Sequence, residues 1–370
     1  MKDTTIQQIT KDYPQYKEEK LFGRYITFDK IAPLLQQLPS SFGTTQLGQS
    51  FQKRPIYKIT MGTGCTKVLL WSQMHGNEST GTKALFDLFR FFANPKKYAI
   101  MVENILSQCT LVCIPMLNPD GAAAYTRENA QKIDLNRDAV ALKAVESNIL
   151  RAVLKEYLPQ FCFNLHDQRT IFSVGSDALP ATLSFLAPSE SEDRAVTDGR
   201  KITMSVIAAM NSVLQTIIPN QIGRYTDEFY PTATGDNFQK AGHHTILIEA
   251  GHCKGDYTRE KVRSYNFIAL LAGLQHIATG KFNNYKTYFD IPNNRKFYLD
   301  VLYKNVFFSE SNKTADIGIV YKETLKGKKV VFIPTLNDAN ELHAYNANTI
   351  IDKKGAIYDN KESFFKTIEK

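Results

Sequence analysis

Four short apolar runs without polar alternation, Val68-Leu69-Leu70-Trp71-Ser72-Gln73, Cys109–Pro115, Phe161–Leu165 and Thr245–Glu249, narrow the architectures open to this chain. A strand that leaves one face in water alternates apolar and polar residues; a run apolar throughout is buried on both faces. Helical patterns separate the runs. Leu85, Leu88, Phe89 and Phe92 recur at helical spacing within a stretch over about 80–92, and further helices are expected over about 139–157, 194–217 and 259–278. Buried strands alternating with helices predict an α/β fold with a mixed, mostly parallel sheet covered by helices on both faces.

The ends of the chain read differently. The first 50 or so residues are polar and mixed, with a short helix expected through Ile31-Ala32-Pro33-Leu34-Leu35 and an alternating strand over Arg54–Ile59. Beyond about residue 285, the segments Phe297–Leu302, Ala315–Tyr321 and Lys329–Ile333 are strand-like and are divided by Asn, Lys and Gly turns. No helical pattern lies between them, so a small antiparallel β module is expected at the C-terminus, with Lys326-Gly327-Lys328-Lys329 as a hairpin turn. The expected division is a catalytic unit over 1–284 and the β-rich module over 285–370.

Composition excludes several classes. At 370 residues, 43% hydrophobic and 22% charged, the chain is an ordinary globular protein with no run near the ~20 apolar residues of a membrane span. The charge of +8 and pI near 9.0 are spread along the chain without a dense basic tract, so no nucleic-acid partner is expected. The five cysteines form no close Cys-x-x-Cys pair and lie mostly in or beside apolar runs, as reduced, buried thiols do. The N-terminal residues lack the apolar core of a secretory signal, and a cytoplasmic location is expected.

His75-Gly76-Asn77-Glu78 closes the first buried strand and precedes a helix. Turns at the carboxyl ends of parallel strands are where α/β folds bind ligands. An imidazole and a carboxylate three positions apart offer two ligands to Zn²⁺, which in catalytic sites takes three protein ligands and keeps one position open. His166 directly follows the strand Phe161–Leu165 and supplies a third at the same edge. A strand-end histidine alone is more often a structural hydrogen-bonding residue; beside a His-x-x-Glu turn it reads as a ligand. Asn118-Pro119-Asp120-Gly121 reads as a tight turn after the strand 109–115, followed by Arg127 and by Asp134-Leu135-Asn136-Arg137. These guanidinium groups should overhang the same edge and can pair with a carboxylate. Glu249 ends the last buried strand, where a carboxylate is costly unless paired or functional.

Together these residues resemble the carboxypeptidase A-like zinc metallocarboxypeptidases, in their bacterial and intracellular branch, across roughly residues 45–280. Leu47–Ile56 is similar to that family's early strand-turn-strand lead. The resemblance implies one Zn²⁺ per chain held by His75, Glu78 and His166, with a metal-activated water. It further implies Glu249 as general base, Arg127 stabilising the oxyanion, and Asn136 and Arg137 binding the free carboxylate of a peptide. The family's active-site tyrosine is matched loosely by Tyr230, with Tyr225 as the alternative. Asp236, if it faces the side-chain pocket, implies preference for a basic or amino-bearing C-terminal residue.

Aspartoacylase and succinylglutamate desuccinylase enzymes share His-Gly-Asn-Glu, an Asp-Leu-Asn-Arg segment and a β-rich C-terminal region. The alternative is therefore a deacylase of N-acyl amino acids, a small amide with a free carboxylate. The 47–56 lead, the Asn-Pro-Asp-Gly turn and the position of Arg127 favour the peptidase. A non-catalytic zinc- or peptide-binding protein would have no need of Glu249.

Overall fold

The structure is a computed structural model that describes residues 3–337, 339 and 342–368. Among them the main sheet is built from β1 (Gly43–Gln49), β2 (Pro55–Met61), β3 (Thr66–Ser72), β4 (Cys109–Ile114), β5 (Phe161–Asp167), then, past the small hairpin β6 (Ser173–Val174) and β7 (Leu179–Pro180), β8 (Leu183–Leu186), β9 (Ile222–Arg224) and β10 (His244–Ala250). The order is β1-β2-β4-β3-β5-β10-β8-β9, and its centre, β4-β3-β5-β10, is parallel throughout. The expected mixed, mostly parallel sheet is therefore present, with antiparallel pairs toward both edges.

The helices are α1 (Asp3–Asp12), α2 (Phe28–Gln36), α3 (Thr80–Ala93), α4 (Ala99–Gln108), α5 (Pro119–Ala124), α6 (Val145–Tyr157), α7 (Asp198–Leu214), α8 (Thr234–Lys240) and α9 (Glu260–Thr279). Strand β3 shows why its run is apolar throughout. Val68 and Leu70 enter the core shared with α3, α4, α7 and α9, whereas Leu69 and Trp71 enter the core beneath α6 and α8. Both faces are buried, and neither can be polar. Helices α3 and α9 lie within a residue of the expected bounds and α7 starts and stops a few residues inside them, while 139–144 form turns rather than the start of α6. Strands β8 and β9 and helix α8 are short, and their sequences carry too few periods to be distinguished from loop.

Asn-Pro-Asp-Gly is not a free-standing turn but the opening of α5. Asn118 is its N-cap, accepting the Gly121 N–H at 2.8 Å, and Pro119 holds the first helical position. Asp120 then ties α5 to the β1–β2 connection, accepting from Ser50 Oγ at 2.7 Å, Gln52 N at 2.8 Å and Arg54 Nη1 at 2.7 Å. Segments 47–56 and 118–121 are thus one structural unit.

The C-terminal region forms a second sheet. Strands β11 (Tyr298–Phe308), β12 (Lys313–Lys326) and β13 (Lys329–Leu336) are antiparallel as expected. β14 (Asn346–Asp352) and β15 (Ile357–Tyr358) extend the sheet by pairing parallel to β11, and α10 (Lys361–Ile368) packs Phe364 into its core. The hairpin turn lies where the sequence puts it, with Lys326 opposite Lys329 and Gly327 at φ +61°, the positive φ that a two-residue hairpin loop needs. Tyr288 and Ile291, ahead of this sheet, are buried in the main core.

Candidate active site

The chain leaves β3 through Gln73, a non-glycine residue at φ +47°. Such a conformation persists only when its surroundings over-determine it. Here the Gln73 amide donates to Ile26 O at 3.0 Å and Gly76 O at 2.9 Å and accepts from Thr82 Oγ1 at 2.7 Å. The bend aims His75 and Glu78 back over the sheet edge. Gly76 passes so close to α5 that a Cβ would lie 1.9 Å from the Gly121 carbonyl carbon.

His166, in β5, completes the group: donor atoms of His75, Glu78 and His166 all lie within 4.8 Å of one another, in buried positions. His75 Nδ1 is 2.9 Å from Glu78 Oε1, His166 Nδ1 is 2.9 Å from Glu78 Oε2, and the two Nδ1 atoms are 3.1 Å apart. Two ring nitrogens converging on one carboxylate favour a cation between them. Two imidazoles and a carboxylate are also the donor set of catalytic zinc sites with one position open. Zinc therefore fits these residues.

Asp134 orients the first ligand. Its Oδ1 lies 3.0 Å from His75 Nε2, its Oδ2 accepts from Arg127 Nε at 2.9 Å, and Asn136 N donates to Oδ1 at 2.9 Å. A carboxylate on the far nitrogen of a ligating histidine fixes ring and tautomer. Burial pushes the Asp134 carboxyl up, but His75 and Arg127 outweigh it and hold it well below the usual range. Burial also opposes the charge on Glu78, and the two histidines override it and keep Glu78 ionised. Asp134 is not among the expected site residues; its only sequence signal is an acid within the loop that carries Asn136 and Arg137.

Glu249 is the register partner of His166 on the adjacent parallel strand. It lines a cavity of about 660 Å³ together with Glu78, Arg127 and Tyr225. Its carboxyl makes no hydrogen bond or ion pair with another described residue, and burial, then the charges of Glu78 and Asp167, push it well above the ordinary carboxylate range. Arg127 Nη1 lies 3.2 Å from His75 Nδ1 and 3.5 Å from Glu78 Oε1, beside the ligands.

The other expected residues gather next to this cavity rather than on its wall. Asn136 Oδ1 accepts Thr234 N at 3.2 Å, the Arg137 guanidinium stacks 5.2 Å over the Tyr230 ring, and Asp236 Oδ1 accepts Tyr230 N at 3.2 Å. Asp236 is buried, and burial raises its carboxyl to about 6. Tyr230 is exposed and bonds Glu228, whereas Tyr225 is the one of the two that lines the cavity. The rest of the cavity's wall includes Arg24, Arg169 (after β5), Arg259 and the C-terminal strand β12; no local sequence pattern announces them.

Residues 29–151 match the family described as zinc carboxypeptidase. Over that third of the chain the sequence is similar to the zinc carboxypeptidases. Carboxypeptidase 2 of Trichophyton tonsurans is 26% identical over 103 residues, 27% of this chain and 19% of that protein. Carboxypeptidase D of Mus musculus is 29% identical over 122 residues, 30% of this chain and 8% of that protein. The chain thus spans less than a fifth of the length of these relatives. The zinc carboxypeptidase fold extends further than the sequence match. A metallo-carboxypeptidase from Burkholderia cenocepacia aligns with a TM-score of 0.54 at 20% identity, covering 69% of this chain and 70% of that one. Carboxypeptidase A from Helicoverpa armigera gives 0.54 at 14% identity, covering 74% and 79%.

Proposed function

We propose that this protein is a zinc-dependent hydrolase that removes C-terminal residues from peptides. The observation that carries the reading is the buried His75–Glu78–His166 group sharing one cavity edge with an unpartnered Glu249 and with Arg127. Zinc held by those three residues would supply Lewis acidity to a water and to the scissile carbonyl. Glu249, with a raised proton affinity and no competing partner, takes the proton of the attacking water and delivers it to the departing amine. Arg127, held at its Nε by Asp134, presents Nη1 where negative charge develops on the carbonyl oxygen. Asn136 and Arg137 hold the terminal carboxylate, with Tyr230 stacked on Arg137, and Asp236 lies below them for a basic or amino-bearing side chain.

In this reading residues 1–284, with Tyr288 and Ile291 packed into their core, form the catalytic unit, and the β-rich module of 285–370 closes one side of its cavity. No helix among the described residues is long and apolar enough to cross a membrane. Five unpaired thiols, three of them buried, favour a reducing, cytoplasmic setting.

A second reading, deacylation of small N-acyl amino acids, is favoured by one feature: β12 bounds the cavity and limits what can lie across it. The test is hydrolysis of C-terminally free peptides against N-acyl amino acids by the purified, zinc-loaded protein. Turnover of the second class alone would replace the first reading with the second. Glu249→Gln should abolish turnover while zinc content, measured by mass spectrometry, stays at one per chain; a fully active variant would remove Glu249 from the mechanism.

A further inference from the structure

We propose that the cavity carries a second anion site, formed by Arg169 and Lys322, that reads an acidic group on the acyl side of the scissile bond. The proposal rests on the hydrolase reading and adds a substrate class to it: short peptides, or acyl groups, with a carboxylate upstream of the bond that is cut.

The wall that bears Lys322 is unusual in construction. Pairing of β12 with β11 ends at Ile319, so residues 320–326 pair with β13 alone and project as a hairpin beyond the C-terminal sheet. This overhang reaches the cavity that contains Glu78 and Glu249, lining it with Tyr321, Lys322, Glu323 and Thr335. It is fixed there. Both Glu323 oxygens accept from Arg24 Nη2 at 2.9 Å, Tyr125 donates its hydroxyl to Glu323 at 2.6 Å, and Tyr321 N donates to Asp300 at 2.6 Å. A charge on so well-tethered a strand is held in place at little further entropic cost.

The pairing of charges then singles out two cations. Of those on the cavity wall, Arg24 is paired with Glu323, Arg127 with Asp134 and Arg259 with Asp167. Arg169 and Lys322 have no hydrogen bond or acidic partner among the described residues, and both side chains are exposed to the cavity. On the same wall, the Nε groups of Arg24 and Arg259 are buried N–H donors without an acceptor, in residues only 9% and 2% exposed. Buried donors in native proteins find acceptors. Two free cations and two unfilled donors on one wall favour an oxyanion.

That anion is not the terminal carboxylate. Asn136 and Arg137, which hold it in the reading above, lie off this wall in the neighbouring cluster with Tyr230 and Asp236. Glu78 and Glu249 line the cavity that reaches β12, whereas Asn136 and Arg137 do not, so the portion of substrate that runs to β12 is the portion upstream of the reacting carbonyl.

The experiment compares kcat/KM for peptides identical except for Glu, Gln or Lys at the two positions upstream of the scissile bond. The full chain loaded with zinc should prefer Glu over Gln by about fivefold and disfavour Lys. Lys322→Glu and Arg169→Glu, both at exposed positions, should each drive the Glu/Gln ratio to one or below, and raising the salt concentration should shrink it in the parent protein. Equal ratios in parent and variants overturn the proposal and leave the hydrolase reading intact. If no peptide is turned over, the hydrolase reading fails, and calorimetry with a peptide carrying Glu upstream of a D-configured C-terminal residue decides the site by itself. Binding lost in both variants supports it; binding unchanged overturns it.

Discussion

Gly76 and Gly121 meet backbone to backbone, and a Cβ on Gly76 would fall 1.9 Å from the Gly121 carbonyl carbon. Two motifs that read separately in the sequence, the ligand-bearing turn and the start of α5, are therefore one packed unit. Asn118 strengthens the joint by donating Nδ2–H to Met74 O at 3.1 Å. The obstruction is backbone, which has no rotamer with which to yield.

Gly76→Ala should therefore cost about 3 kcal/mol, the upper end of the range for forced overpacking, and should displace His75 and Glu78 together. Urea denaturation measures the first effect and bound zinc per chain the second. Full zinc occupancy at unchanged stability would show that α5 can move aside, contrary to the contact described.

Asp134→Asn is expected to act on metal affinity with little effect on the fold. Asn keeps an oxygen for the Asn136 N–H but cannot stabilise charge on His75, whose Nε2 lies 3.0 Å away. Loss of such an outer carboxylate weakens zinc about 10- to 100-fold. Competition with a chromophoric chelator reads this directly; an unchanged dissociation constant would leave Asp134 as a cap on its loop and nothing more.

How far the sequence carried depends on how locally each feature is encoded. His75, Glu78, His166 and Glu249 were legible because each ends or follows a buried apolar strand, and parallel strands deliver their carboxyl ends to one edge. The choice between Tyr225 and Tyr230 was not legible: both lie in a loop whose path is set by Phe185, whose carbonyl accepts Tyr225 N, and by Asp236 beneath Tyr230. The partnership of Arg24 with Glu323 joins residues 299 apart and leaves no local pattern. The parallel pairing of β14 with β11 escaped for the same reason, since strand propensity does not specify a partner.

Asp236 makes stability depend on pH. Burial raises its carboxyl from the ordinary 3.8 to about 6. Between those values the folded protein holds a proton that the unfolded chain has lost. Stability should therefore fall as pH rises from about 4 to about 6, by at most ~1.4 kcal/mol per pH unit. Asp236→Asn retains an oxygen for the Tyr230 N–H and should flatten this segment of the profile. Denaturation midpoints at closely spaced pH values for both proteins provide the check, and parallel profiles would assign the slope to another group.

The ion pair between Arg24 and Glu323 is expected to hold the C-terminal sheet against the catalytic core. Burial opposes the charge on Glu323, yet Arg24 and Arg259 keep its carboxyl below the usual range. Removing one partner leaves the other charged and poorly hydrated, so Glu323→Ala should destabilise by about 3 kcal/mol, the low end for a buried pair because Glu323 retains some solvent contact. Arg24→Ala should cost a similar amount, while the double variant should lose far less than the sum, since neither charge is then stranded. Limited proteolysis supplies the second readout: each single variant should be cut faster within 292–297, between the main core and β11. If the two single effects add and the cleavage rate does not change, the sheet is held by its apolar contacts and this pair is incidental to docking.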